Sequence, residues 1–228
     1  MYKKGFTLAE VLITLMIIGV IASLVIPNIV SDTKDAEFNV GLKKIYADLN
    51  QAISLIQINN GGSVPVGNPA YTFNWQPLRD EFCNVMTCIK KDTENNVFAG
   101  KIYKYYKSNT NISSSTFDNS SNNSAVLNNG VILGFSSNDN CNYWGVNMCG
   151  SVRVDLNGPK GPNMLGKDTY LFYIVRPNGT GNYSILPVGT SNDTYVSQPP
   201  PGCKANSIDW KTSEGCTAVR LTNPDALP

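Results

Sequence analysis

Hydrophobic positions along this chain fall into three successive patterns. From Phe6 to Val30 the residues are apolar on every side, 25 positions interrupted by a single charge, Glu10. A helix of that length spans about 37 Å, enough to cross a hydrocarbon core of about 30 Å. After Ser31 the pattern turns amphipathic. Phe38, Leu42, Ile45, Leu49, Ala52 or Ile53, and Ile56 recur at spacings of three and four, and Lys34, Asp35, Glu37, Lys43, Lys44 and Asp48 take other positions. Asn59-Asn60-Gly61-Gly62 should end this helix, because glycine accepts the left-handed cap. Pro27 lacks a backbone donor, so a kink or a short melted stretch is expected at Ile26 to Asn28.

Beyond residue 63 the runs shorten and alternate. Asn74 to Met86 predicts a short helix around Trp75, Leu78 and Phe82, and Lys101 to Tyr106 predicts a strand. Ser108 to Ser124 reads as a polar, low-complexity loop. Val126-Leu127 and Val131 to Phe135 flank Asn128-Asn129-Gly130, a hairpin signal. Ser151 to Leu156, Thr169 to Arg176 and Tyr183 to Leu186 complete the strands. Strands that follow a long helix imply an α+β class, with the apolar helix stripe packed on a small antiparallel sheet. The expected divisions are 6–30 as a membrane segment, 31–60 as its amphipathic continuation and 63–228 as one globular domain.

Charge orients the chain. Lys3 and Lys4 precede the apolar run and the next basic residue is Lys34, so the N-terminus should stay in the cytoplasm and the rest should be exported. The run ends Val25-Ile26-Pro27-Asn28, which lacks the small residues of an ordinary signal-peptidase site. An exported domain meets an oxidising compartment, where six cysteines read as disulfides. They fall along the sequence into three close pairs, Cys83 with Cys88, Cys141 with Cys149 and Cys203 with Cys216; nearest-neighbour pairing is the expectation, one of 15 connectivities that six cysteines allow. Zinc is disfavoured because the chain has no C-x-x-C and no histidine. The missing histidine also removes the usual acid–base group, and no phosphate-binding glycine loop opens a helix, so an enzyme is not expected.

Lys4-Gly5-Phe6-Thr7-Leu8-Ala9-Glu10-Val11-Leu12-Ile13 resembles the processing site of prepilins, the precursors of type IV pilins and type II secretion pseudopilins. The resemblance covers about the first 30 residues. It implies that residues 1–5 are a leader, that a membrane prepilin peptidase cuts after Gly5, and that Phe6 becomes an N-methylated first residue. It also implies that Glu10 meets the Phe6 amine of a neighbouring subunit, answering the question of what pairs with a carboxylate inside the membrane segment. Gly19 and Pro27 match positions where the family has a flexible glycine and a helix-kinking proline. The Cys203–Cys216 loop resembles the disulfide-closed C-terminal loop of many type IV pilins.

Two functions follow from the resemblance. One is a structural subunit that leaves the inner membrane to join a pilus or secretion pseudopilus, with an assembly ATPase and a platform protein as indirect partners. The other is a low-copy minor pilin or tip protein that acts as an adhesin or binds DNA or protein. Losing Lys3 and Lys4 with the leader takes the formal charge from +1 to −1, which gives no global attraction to nucleic acid. One stretch could hold calcium. Asp155, Asn157 and Asp168 flank a glycine-rich turn and could offer oxygens to the ion, as some pseudopilins do, or the same groups could simply bond the turn's backbone.

Overall fold

The computed structural model describes residues 5–66, 76–91, 103–112, 124–137, 141, 148–158, 160–176, 181–190, 203–206 and 216–223. Two compact units divide the chain, Met1–Phe38 and Asn39–Pro228. Helix α1, Leu8–Asn59, contributes to both and runs through Pro27 without a break in its assignment. The melted stretch expected at Ile26 to Asn28 is therefore absent. A proline inside a helix removes one rung of the ladder, and the rungs on either side are enough to hold this one. The C-terminus of α1 follows expectation, with Gly61 and Gly62 at positive φ and the Gly62 N–H bonded to the Gln57 carbonyl at 2.7 Å.

In the larger unit, the stripe from Leu42 to Ile56 is fully buried, and both Ala52 and Ile53 belong to it. It packs on an antiparallel sheet whose strands follow chain order: β1 (Cys88–Lys91), β2 (Ser124–Leu127), β3 (Ile132–Ser137), β4 (Met148–Asp155), β5 (Thr169–Val175) and β6 (Ser184–Pro187). Alternation along the strands sends Ala125, Leu133, Phe135, Val152, Val154, Tyr170, Phe172 and Ile174 into the core beneath the stripe. The register carries this face across the sheet: Leu133 lies opposite Val154, Phe135 opposite Val152, and Val152 opposite Phe172. Tyr46 of α1 stacks on Phe172 with ring centroids 5.7 Å apart. Helix α2 (Gln76–Met86) adds Leu78 and Phe82 to the same core.

Two contacts fix which end of the sheet meets which part of α1. A Cβ built on Gly41 would lie 3.2 Å from a methyl of Leu156, at the end of β4. Sixteen residues on, Gln57 receives the Tyr183 N–H at 2.7 Å and gives its own amide proton to the Tyr183 carbonyl at 3.1 Å. That pair reproduces a strand's hydrogen bonding with a side chain, and it is buried.

Tyr103, Ile112 and Leu165 form a second small core with Ile132, whose neighbours along β3 face the main core. The residues read as a strand at Lys101 to Tyr106 are not one: from 103 onward they make only isolated bridges, from Lys104 to Asn111 and Met164, and Lys101 lies outside the described residues. A short helix, α3 (Cys216–Thr222), bonds to β5 through Thr217 and to Val188, just after β6, through Ala218. Disulfides join Cys83 to Cys88, Cys141 to Cys149 and Cys203 to Cys216. The first ties the end of α2 to the start of β1 across Thr87, which adopts φ 57°. Trp75 and most of the polar stretch from Ser108 to Ser124 lie outside the described residues.

Candidate functional site

The chemistry that the sequence singles out lies at two places, and each belongs to one unit. The first is the start of α1. Leu8–Pro27 is long and apolar enough to cross a membrane, and none of it is buried within the chain. Its hydroxyls are satisfied locally, Thr14 on the Val11 carbonyl at 2.9 Å and Ser23 on the Val20 carbonyl at 2.7 Å. That leaves Glu10 as the one ionisable side chain in the span.

Thr7 and Glu10 close a reciprocal cap. The Thr7 N–H and hydroxyl both donate to Glu10 Oε2, each at 2.8 Å, while the Glu10 N–H donates to Thr7 Oγ1 at 3.3 Å. A residue just before the helix and one three positions later satisfy each other's free backbone donors in this way. Thr7 is the site residue that the sequence reading passed over, although its T-x-x-E spacing with Glu10 is the signature of such a cap. The carboxylate is thereby held at the first turn of α1 by one of its oxygens.

Gly5 stands just before this cap, exposed, and a Cβ added to it would meet nothing within 4 Å. Its backbone is not in the left-handed region that demands glycine. Nothing among the described residues requires glycine there. Phe6 is 88% exposed, so neither side of the Gly5–Phe6 bond is covered. Gly19 has equally open surroundings inside the helix, where glycine costs roughly 1 kcal/mol against alanine.

The second place is the turn after β4. Asp155 Oδ2 accepts the Tyr103 hydroxyl at 2.8 Å, and Oδ1 accepts the Asn157 N–H at 3.3 Å. Asp168 Oδ2 accepts the Asn163 N–H at 2.8 Å, and Oδ1 accepts the Met164 N–H at 2.6 Å. Each of the four carboxylate oxygens thus receives at least one protein donor. Both carboxylates are completely buried. Burial pushes the Asp168 carboxyl above its ordinary value, against the pull of its backbone donors. The Tyr103 hydroxyl is pushed up as well, by its own burial first and by the neighbouring Asp155 charge second. Asn157 joins the turn by donating to the Gly161 carbonyl at 3.0 Å.

Among the described residues no group of three or more His, Cys, Asp or Glu side chains comes together in a way that could hold a metal ion. Two amide oxygens in the turn, Asn157 Oδ1 and Asn163 Oδ1, are nevertheless buried without a protein partner. Carboxylate and amide oxygens are hard ligands of the type that suits calcium.

Comparison with known proteins bears on the first place. Residues 1–26 match the model of the prokaryotic N-terminal methylation motif. Over 58 residues, 25% of this chain, the sequence is 36% identical to the type II secretion system core protein G of Escherichia coli (strain K12), covering 39% of that protein. The corresponding protein of Aeromonas hydrophila is 34% identical over the same length and is covered to 40%. The chain thus spans well under half the length of the curated relatives it matches. No solved structure matches it.

Proposed function

We propose, from the premise that this chain belongs to the type IV pilin and type II secretion pseudopilin family, that it is a structural subunit of a filament assembled from the inner membrane. The observation that carries the proposal is the coincidence of the methylation motif with an uncovered apolar helix whose single carboxylate sits at its first turn. A prepilin peptidase cuts after Gly5, and Phe6 is methylated. Lys3 and Lys4 hold the leader in the cytoplasm, so the unit from Asn39 onward lies outside. Glycine at position 5 serves the protease rather than the fold, consistent with its open surroundings.

Cleavage then creates the partner for Glu10. One oxygen, Oε2, takes both Thr7 bonds, and the other is left to receive the ammonium of a neighbour's Phe6. In a low-dielectric setting such a pair selects one register between adjacent helices, since any other leaves a charge uncompensated. The side chains of Leu8 to Pro27, none of them buried among the described residues, are covered by lipid before assembly and by neighbouring copies after it. The role is structural, without catalysis. Calcium enters the proposal at the second place only. Asp155, Asp168, Asn157 and Asn163 would hold it, and its charge would offset the burial of two carboxylates.

Glu10→Ala tests the core of the proposal. The expected result is normal cleavage after Gly5, read by N-terminal mass spectrometry, together with loss of the chain from sheared filaments. Undiminished incorporation would remove the pairing.

A further inference from the structure

The Gly41 end of the larger unit is built from three segments, two of them hydrogen-bonded and the third packed beside them. Lys43 and Lys44 lie on α1 and are exposed. Beside Gly41, Leu156 begins the turn that carries Lys160 and Lys167. Segment 103–112, with Lys104 and Lys107, is stitched to that turn by the Lys104 N–H on the Asn163 carbonyl at 2.9 Å and the Leu165 N–H on the Lys104 carbonyl at 3.0 Å. These six lysines are exposed or half-buried, whereas the two carboxylates of the same turn, Asp155 and Asp168, are wholly buried. A chain with almost no net charge thus gathers positive charge at one end of this unit. The opposite sign is gathered just before it. Residues 31–38 contain Asp32, Asp35 and Glu37 against Lys34 alone, and Glu37 is exposed.

We infer that the lysine-rich end of one copy docks the acidic 31–38 segment of a second copy, with Glu37 set against Lys43 and Lys44. The inference rests on the filament reading and takes its register from it. If Phe6 of one copy meets Glu10 of the next, the copies are displaced by four residues, about 6 Å along α1. Carried along parallel copies of α1, the same displacement brings residue 37 of one copy level with residue 41 of the other. Lys43 is then about 3 Å further along, well within the reach of a lysine side chain. The charge pattern and the Phe6–Glu10 pairing are independent features of the sequence; the first asks for an offset of six or seven residues and the second for four, a difference of about 3–5 Å that a lysine side chain spans. Complementary charge at that level penalises other registers, because any shift that sets lysine against lysine is repulsive.

The test is a charge swap in the full chain, expressed with its own assembly machinery and read as incorporation into sheared filaments. Glu37→Lys alone, and Lys43→Glu with Lys44→Glu alone, should each lower incorporation roughly fivefold. The three changes together should restore it to within about twofold of wild type. Single reversals without effect, or a combination no better than either half, would overturn the docking. All three side chains are exposed, so the melting temperature of each purified chain should match the wild type. If a reversal lowers it, Glu37→Gln performs the same test with a smaller charge change. Absence of the wild-type chain from filaments, or normal incorporation of Glu10→Ala, would instead overturn the filament reading and this inference with it.

Discussion

Replacing Gln57 by leucine should loosen the attachment of the sheet to α1 at the end far from Gly41. Leucine keeps most of the volume and the helix propensity, so the change isolates the polar contact. What is lost is the pair of hydrogen bonds to the Tyr183 backbone, at 2.7 and 3.1 Å, on a side chain only 7% exposed. Tyr183 is itself buried, and its N–H and carbonyl would be left without those partners. Each stranded backbone group costs about 1–3 kcal/mol, so the substitution should destabilise the unit by about 3 kcal/mol. For a unit of this size that lowers the melting temperature by roughly 6–12 °C. Near-ultraviolet circular dichroism of the full chain in detergent follows the tyrosine-rich domain without interference from the membrane helix. Ser54→Ala is the control. Its hydroxyl donates to the Asn50 carbonyl on the exposed side of the same helix, and its loss should stay within about 0.5 kcal/mol. A Gln57→Leu effect no larger than the Ser54→Ala effect would refute the reasoning. It would mean that apolar packing alone holds β6 to the helix.

The other predictions concern the turn and the C-terminal bridge. Because the folded Asp168 carboxyl is raised above its ordinary 3.8, the folded chain retains a proton that the unfolded chain has released. Its contribution to stability is therefore present below about pH 4 and lost as pH rises through the raised folded value. Asp168→Asn cannot titrate, so its melting temperature should vary less with pH across that window, and identical pH profiles would sink the assignment. Calcium should raise the melting temperature of the wild type at pH 7 but not that of Asp168→Asn; equal values in calcium and in chelator would remove the ion from the turn. Changing Cys203 and Cys216 together to serine opens a loop with a sequence separation of 13. The loss should be about 3 kcal/mol by denaturant unfolding, and a loss below about 1 kcal/mol would show that α3 holds its place without the bridge.

What could be read from the sequence depended on how far each signal was local. The stripe from Leu42 to Ile56 persists over four turns, and no competing period fits it, so its burial was legible. The turn at Asn128-Asn129-Gly130 was equally clear, since its residues suit a tight reversal and apolar runs flank it. Strand β1 was not legible. It has four residues, three of them exposed, and it exists because its backbone pairs with β2. Helix α3 depends on tertiary context in the same way: Cys-Thr-Ala-Val-Arg-Leu-Thr carries β-branched residues that weaken a short helix, and its Thr217 and Ala218 bonds to the sheet region compensate. Tyr103 to Tyr106 misled in the opposite direction. Alternating tyrosine suggests a strand, yet the segment serves as a cover, and Tyr103 is spent on Asp155 and the second core.

The same contrast separates residues that the chain uses for itself from residues that it leaves for others. Buried polar groups at Gln57, Asp155 and Asp168 are matched donor for acceptor within one copy, so their identities are explained by this fold. Gly5 and Gly19 are not explained in that way, because each leaves room for a side chain that the fold would accept. In a solvent-facing helix Gly19 would simply lower stability. In a membrane helix a missing side chain lets a second helix approach closely. Glu10 belongs to the same group, capped on one oxygen and open on the other. The glycine before the helix, the half-used carboxylate at its first turn and the bare glycine at its middle are all unfinished in the single chain. In the proposed filament each is completed by an event outside the chain: a cut, an incoming ammonium group and a neighbouring helix. That shared requirement is the physical reason for reading the first thirty residues as an assembly element and the remainder as a self-sufficient domain.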